Sequence, residues 1–384
     1  SFVNACDAGR EGELIFRYII QYARAKHPKK TAGKTVSRLW LQSMTPDAIR
    51  SGFSNLRSDD AMTPLANAAS CRSEADWLVG INGTRAMTAF NSKSGGFYLT
   101  PVGRVQTPTL AVVVDREKDI RNFVPRDYWE VQARFKVQSG EYNGRWVDEG
   151  YKKDPDDAHK RAERIWEHAK AEGIKEKCES QSGEVTEKSK PSKQSAPALF
   201  DLTTLQREAN ARFGFSARNT LAIAQALYER HKILTYPRTD SRCLPEDYVS
   251  TVKQTIEALD QANYNGLAGN ILKNDLLQAG NKKIFNNKKI SDHFAIIPTL
   301  KVAPATLKEQ ELKVYDLVVK RFLAVFYPSA EFLVTTRITR VAGEPFKTEG
   351  KVLVNPGWLV VYGREQQKDD TGHLVPVVEG ESVK

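Results

Sequence analysis

The spacing of apolar side chains changes several times along this chain, and those changes constrain the fold more than any other feature. Residues 1–60 read as α/β: the apolar run Phe2–Cys6 predicts a strand, an acidic turn containing glycine follows, and Leu14–Ala25 has the spacing of a helix. Val36–Leu41 predicts a second strand, and Thr45-Pro46 is an N-cap and first-turn pair for another helix. Residues 62–120 read as helical, with Thr107 capping a helix that starts at Pro108 and carries Leu110, Val113, Val114 and Glu117. The period then drops to two. Trp129, Val131, Ala133, Phe135 and Val137 alternate with Glu130, Gln132, Arg134 and Lys136, as in a half-buried strand. Residues 179–198, rich in Ser, Lys and Pro, predict a linker. Helical spacing returns in Leu202, Leu205, Ala209 and Phe213, and again after Ser216, a cap for Leu221, Ala224, Leu227 and Tyr228. The Asn-, Gly- and Lys-rich stretch 261–290 predicts an exposed loop, 307–327 a helix, and 332–362 renewed strand alternation. Such an order does not fold into one layered core, so the chain reads as multidomain α/β plus α plus β, with some domains built from discontinuous segments.

Length and composition agree. A chain of 384 residues is long enough for roughly two to four domains. Its 40% hydrophobic and 27% charged residues are those of a soluble protein with real cores. No apolar run approaches the roughly 18 residues of a membrane span, so no membrane role is expected. Cys6, Cys71, Cys178 and Cys243 are scattered, which argues against a zinc site or a disulfide scaffold and fits a reducing cytoplasm. The start, SFVNACDAGREGE, has neither an initiator Met nor a signal-peptide layout, and a chain truncated at its N-terminus is expected. The charge, 57 Lys+Arg against 47 Asp+Glu or +10, suits a polyanion: nucleic acid first, an acidic membrane second.

Several constellations can carry chemistry, and each has a plainer reading. Asp7-Ala8-Gly9-Arg10-Glu11-Gly12-Glu13 follows an apolar strand; its carboxylates suit Mg²⁺, or they form an ordinary acidic helix start. In Leu234-Thr235-Tyr236-Pro237-Arg238-Thr239-Asp240-Ser241, the proline biases Tyr236 to an extended backbone, with Arg238 on the same side. A guanidinium there can favour a phenolate and clasp a phosphate, while the plainer reading is an edge tyrosine in a turn. His293, in Ser291-Asp292-His293-Phe294-Ala295-Ile296-Ile297-Pro298-Thr299, is either a core histidine or a catalytic one. Val102-Gly103-Arg104-Val105-Gln106-Thr107-Pro108 is either a phosphate seat at a helix N-terminus or a simple helix start. Arg72, Asp76 and Arg85 flank Trp77-Leu78-Val79-Gly80 on one helix, where a solvated face is the default.

Taken together, these segments resemble the type IA DNA topoisomerases, most closely the topoisomerase III branch, over nearly the whole chain. DAGREGELIFR resembles the acidic motif of the Toprim domain, and RLWLQSMTPDAI its last strand and following helix. DWLVGINGTRAMT, PVGRVQTPTLAVVVDRE, LTYPRTDS and DHFAIIPT follow in the family's order. The resemblance implies a toroid of domains around a hole wide enough for DNA. Its itinerary here is the C-terminal part of Toprim (1–60), helical DNA-binding domain (61–122), strand-rich arch and linker (123–197), tyrosine-bearing gate (198–299), helical return (300–330) and arch return (331–384). Tyr236 would attack a single strand, leaving a 5′-phosphotyrosine and a free 3′-hydroxyl, and reversal would need no ATP. Arg238 would stabilise the phosphate, and His293 would position the strand or the proton network, with Glu11 a further catalytic residue. Gly103, Arg104, Val105 and Gln106, with Arg72, Arg85, Asp240 and Ser241, would hold the DNA backbone. The implied cofactor is Mg²⁺, and the implied partners are single-stranded DNA and negatively supercoiled or catenated DNA. A cytoplasmic, nucleoid-associated monomer is implied too.

Two departures stand out. The family's acidic motif usually has Asp-x-Asp, and Gly9 occupies the second position; Asp7 and Glu11 become the leading Mg²⁺ ligands, with Glu13 a third, in a weaker or single site. The family's first Toprim strand, with its Glu and Lys, and its C-terminal modules have no counterpart here, so slow or no cleavage by this chain alone is expected. The rivals are another Toprim enzyme, such as a primase or nuclease, and a single-stranded-DNA-binding core without cleavage. Neither Toprim rival accounts for LTYPRTDS or DHFAIIPT.

Overall fold

A computed structural model describes residues 1–301, 303–363, 374–377 and 382–383. The chain divides into two compact units, each assembled from discontinuous stretches: 1–123 with 198–322, and 124–197 with 323–384. Parts of the expected return segments (Val302 and residues 364–373, 378–381 and 384) lie outside the described residues.

In the first unit, strand Phe2–Asn4 runs parallel to Val36–Arg38, which pairs antiparallel with Arg57–Ser58. The expected strand Phe2–Cys6 stops at Asn4 because the next carbonyls turn away from the ladder. Arg38 is buried and donates to the carbonyls of Asn4, Cys6 and Asp7 and to Asn4 Oδ1. Glu13, also buried, accepts from Asn4 Nδ2 at 2.9 Å and from Arg17 Nε at 2.8 Å, and lies 3.7 Å from Arg38 Nε. The helix Arg10–Lys26 therefore begins earlier than apolar spacing predicts, with Glu11 and Glu13 in its first turn, where acidic groups meet the dipole favourably.

Two long helices, Asp59–Asn91 and Gln106–Arg121, form the next part of this unit. The extended segment between them lies along the first helix. Thr84 Oγ1 accepts from Val102 N, Thr88 Oγ1 accepts from Thr100 N, and Gly83 leaves room for the Val102 side chain. The second helix starts at Gln106, ahead of the expected Pro108, and Thr107 Oγ1 accepts from Gly103 N at 3.1 Å. Its stripe of Leu110, Val113 and Val114 is exposed, contrary to what amphipathic spacing predicts, because none of the described segments covers that side.

The tyrosine-bearing segment is tightly packed. Asp201 and Thr204 form a capping box for Leu202–Phe213, and Ser216 caps Ala217–Glu229 as expected. Leu205, Ala209, Ala224 and Leu227 from these helices are fully buried with Val314 and Val318 of Glu309–Ala324. Residues 261–290 are not simply a loop: Asn265–Lys273 is a helix packed on Val249–Asp260, and Ile271 and Phe285 are fully buried. A few well-placed apolar residues outweigh the surrounding polar composition there.

Among the described residues, the second unit is built on a six-stranded antiparallel sheet with the helix His168–Cys178. Its strand order is Gln132–Val137, Gly140–Trp146, Glu344–Asn355, Ala330–Val341, Gly183–Gln194 and Ser382–Val383. Phe135, Tyr142, Trp146, Val185 and Phe346 make its core with Ile165 and Ile174. The expected linker 179–198 is corrected here: Gly183–Gln194 is a strand paired along its whole length with Ala330–Val341. Beyond its first two residues it has a described partner on one side alone, and edge strands carry the Lys and Pro that make such a sequence read as a linker. The alternation read across 332–362 breaks at Ala342-Gly343, whose positive φ values of 48° and 85° make a tight hairpin turn, and the second strand ends at Asn355. Among the described residues no helix is long and apolar enough to cross a membrane.

Removing one member of a buried ion pair leaves the other charge uncompensated, typically at about 3–5 kcal/mol. Glu13→Leu is therefore expected to lower the stability of the first unit by that amount in chemical denaturation. A loss below about 1 kcal/mol, the scale of surface pairs, would refute a structural role for this network.

Candidate active site

Two extended stretches carry the tyrosine and histidine motifs, and the backbone binds them side by side. Thr235 N donates to Ile297 O, Thr299 N to Ile233 O, Ala295 N to Cys243 O, and Leu234 faces Pro298 across an antiparallel bridge. Side chains reinforce this pairing: Thr235 Oγ1 donates to Ala295 O and Thr239 Oγ1 to His293 O. Buried Ile233, Leu234, Ile296 and Ile297 pull both stretches onto the core and leave the intervening turns at its margin.

The half-buried ring of Tyr236 consequently packs between Tyr228 and His293, with ring centroids at 5.4 and 4.3 Å. On its other side His293 approaches the acidic motif, Nε2 lying 3.6 Å from Asp7 Oδ2. Residues from the start of the chain and from two distant motifs thus meet in one place. Arg238 is exposed, and among the described residues no ion pair or hydrogen bond engages it. Asp240 is exposed and accepts from Ser291 Oγ at 2.8 Å, tying the two turns together.

The acidic motif is sorted by its surroundings. Asp7 and Glu11 are exposed at the turn and the helix start. Glu13 is removed from the metal-ligand set: it is 1% exposed and its two oxygens are engaged by Asn4, Arg17 and Arg38. Gly12 is required by close packing, since a Cβ there would lie 2.2 Å from the Asp7 carbonyl oxygen. Gly9 has a different neighbour. A Cβ on it would lie 2.3 Å from Asp292 Oδ1, so the Asp292 carboxylate fills the space that a side chain at position 9 would take. Asp292 stands beside His293 in the sequence with no local sign of a role, because its proximity to Gly9 is a contact between distant segments that no local pattern records. Burial pushes the Asp292 carboxyl up, His293 opposes the shift, and Asp7, Asp240 and Glu11 add to it.

The expected DNA-contacting residues divide. Ser241 is corrected: it is 3% exposed, and its hydroxyl donates to Lys289 O at 2.9 Å and accepts from Cys243 N, which makes it structural. Gly103, Arg104, Val105 and Gln106 precede or open the Gln106–Arg121 helix, and Arg85 is exposed. Arg104 Nε holds both Asp76 oxygens, at 2.8 and 3.0 Å, while Arg72 Nη1 lies 3.4 Å from Glu11 Oε1. Arg72 and Asp76 are four residues apart on one helix face, so a line of alternating charge runs from Glu11 to Arg104. Among the described residues, no three Asp, Glu, His or Cys side chains converge tightly enough to close around a metal ion by themselves.

Comparison with known proteins gives this arrangement its family. A family model described as DNA topoisomerase matches residues 60–384. The chain belongs to the DNA topoisomerase family. It is 39% identical to a DNA topoisomerase 3 of Bacillus subtilis (strain 168), over 98% of this chain and 49% of that one. It is 41% identical to a DNA topoisomerase 3 of Shouchella clausii, over 96% of this chain and 47% of the relative. A solved structure of full-length topoisomerase I from Thermotoga maritima superposes with a TM-score of 0.63 at 25% identity, covering 98% of this chain and 57% of that one. The fold is thus that of a type IA topoisomerase, with mixed helices and sheets, and the chain spans about half the length of the curated relatives it matches.

Two outcomes follow from the packing. Gly12→Ala must displace backbone, at an expected cost of about 1–3 kcal/mol, whereas Gly9→Ala need only swing the end of Asp292; equal losses in denaturant melts would contradict this. The folded protein also keeps Asp292 protonated to a higher pH than the unfolded chain does, so ionised Asp292 weakens the fold above the ordinary carboxylate range and not below it. Asp292→Asn should raise the thermal midpoint at neutral pH, with the gain vanishing as the pH falls through that range. A gain independent of pH would rule out this electrostatic origin.

Proposed function

We propose that the protein cleaves and rejoins one DNA strand through Tyr236. The observation that carries this reading is the close packing of the Tyr236 ring against His293, which itself reaches Asp7 of the acidic motif. The phenolic oxygen bonds to a backbone phosphorus, the bond to the 3′-oxygen breaks, and the products are a 5′-phosphotyrosine and a 3′-hydroxyl. The phenolic proton leaves through the His293 network, and the 3′-oxygen takes one up. The phosphodiester energy is retained in the phosphotyrosine, so the 3′-hydroxyl reverses the step without ATP. Arg238, exposed and uncommitted among the described residues, is free to fork onto the attacked phosphate.

Asp7 and Glu11 fit Mg²⁺, which takes one or two carboxylates and keeps its waters, and Asp292 stands beside them as a further carboxylate. When bound, the ion would neutralise charge where DNA phosphate meets this acidic corner. Arg72, Arg85 and the Gly103–Gln106 segment lead a single strand toward Tyr236, phosphates exchanging with Glu11 and Asp76 on the arginines. Asp240 contributes by tying the turn of Ser291 to the tyrosine segment.

The partners in this reading are single-stranded DNA and negatively supercoiled or catenated DNA, passed through the gap by a monomer acting in the cytoplasm at the nucleoid. The sequence segments 1–60, 61–122, 123–197, 198–299, 300–330 and 331–384 then correspond to partial Toprim, helical, arch, gate, helical-return and arch-return parts of a toroid. A strand-binding core without cleavage is not favoured, because the relatives matching nearly the whole chain are named as topoisomerases.

The test, made with the chain extended to the length of its topoisomerase 3 relatives, is covalent attachment of end-labelled single-stranded DNA. Tyr236→Phe should abolish the adduct with DNA affinity nearly unchanged. Arg238→Ala should slow its formation by about two to three orders of magnitude, with partial recovery in Arg238→Lys. Adduct formation by Tyr236→Phe would overturn the assignment.

A further inference from the structure

Gln42 lies in the RLWLQSMTPDAI motif, just beyond the strand Val36–Arg38, and the mechanism above gives it no work. Its side chain nevertheless reaches the catalytic turn. Nε2 donates to Ile290 O and to Ser291 O, each at 2.9 Å, across more than 240 residues of sequence. Both partners are carbonyl oxygens, so only the NH₂ end of the amide can face them. The segment bearing Gln42 is itself pinned: Ser43 Oγ and Thr45 Oγ1 each donate to Asp247 Oδ2 at 2.8 Å, and Thr45 caps the Pro46–Ser54 helix.

The turn that Gln42 grips presents three functional groups in succession. Ser291 bonds Asp240, Asp292 occupies the space at Gly9, and His293 lies between Tyr236 and Asp7. Bonds from Thr239 to His293 O and from Ala295 to Cys243 O hold the C-terminal side of the turn to the tyrosine segment. On its N-terminal side, Gln42 is what joins the turn's carbonyls to the segment that follows the acidic motif.

We propose that Gln42 is a positioning residue for strand cleavage. Its amide sets the Ile290–His293 turn so that Asp292 meets Gly9 and His293 meets both Tyr236 and Asp7, joining the acidic motif to the nucleophile. The inference rests on Tyr236 as nucleophile and adds a residue that touches neither DNA nor the reacting atoms. Losing both bonds leaves the tyrosine segment folded, since its own ladder is intact, but frees the turn to move by a fraction of its length. Reacting groups misplaced by about 1 Å can cost on the order of a hundredfold in rate.

The experiment compares the chain extended to the length of its topoisomerase 3 relatives with its variants Gln42→Met, which keeps the side chain's bulk and removes both donors, and Gln42→Glu, which sets a carboxylate against two carbonyls. Three quantities are read: the single-turnover rate of adduct formation on labelled single-stranded DNA, the Kd for that strand, and amide hydrogen exchange across residues 290–293. Gln42→Met should slow adduct formation by about ten- to a hundredfold and speed exchange in the turn, with Kd and thermal midpoint unchanged. Gln42→Glu should be slower still. A wild-type rate in Gln42→Met, or a rate loss matched by a fallen midpoint, would overturn the positioning role. If the wild-type protein at that length forms no adduct, the functional reading falls, and the exchange measurement alone decides the inference: unchanged exchange across 290–293 refutes it.

Discussion

A guanidinium with almost no exposure to water needs compensation, and Arg38 finds most of it in the first residues of the chain, its Nε having no hydrogen bond and resting 3.7 Å from Glu13. Asn4, Cys6 and Asp7 turn their carbonyls to it, and Glu13 returns from the first turn of the helix to meet it. The demands of that buried charge end the strand at Asn4 and fold residues 5–9 into a turn. They also bring the helix so close that position 12 has no room for a side chain beyond hydrogen. Asp7 and Glu11 are left on the outside as a consequence. The acidic motif is therefore two things at once: Glu13 holds the fold together, and its neighbours are free for chemistry.

The site built on this frame has a charge sign opposite to that of the chain. A protein with a formal charge of +10 gathers Asp7, Glu11, Asp240 and Asp292 around one tyrosine and one histidine. Such a corner repels a phosphate unless cations intervene, and the structure supplies two kinds of answer. Arg72 and Arg104 are already paired with Glu11 and Asp76, so incoming phosphates would exchange for carboxylates along one helix face. Arg238, next but one to Tyr236, is held in reserve. On the proposed function, the basic excess would draw a polyanion to the molecule and the local acidity would decide where it can settle.

Composition misled wherever burial was local. Gly183–Gln194 looks like a linker because an edge strand spends its backbone on one neighbour and its side chains on solvent. Residues 261–290 look like a loop because their polar majority hides Ile271 and Phe285, which are wholly buried. The opposite error occurs at Leu110, Val113 and Val114, whose helical stripe reads as a buried face and lies open among the described residues. In each case the local signal is real, and what the segment meets in space is not encoded in the window that displays it.

The amino-acid sequence alone was enough for the alternation of helical and strand segments, the caps at Thr45 and Ser216, and the motifs around Tyr236, His293, Asp7 and Glu11. These depend on spacing and local hydrogen bonding, which operate over a few residues. Tertiary structure decided the rest. It turned Glu13 and Ser241 inward, because their partners Arg38 and Lys289 lie on other segments. It set Asp292 into the space at Gly9 and Gln42 against the turn at Ile290 and Ser291, contacts spanning more than 200 residues. A side chain's chemistry is written in its identity, but whether that chemistry is spent on the fold or left for a substrate depends on the neighbours that folding brings to it.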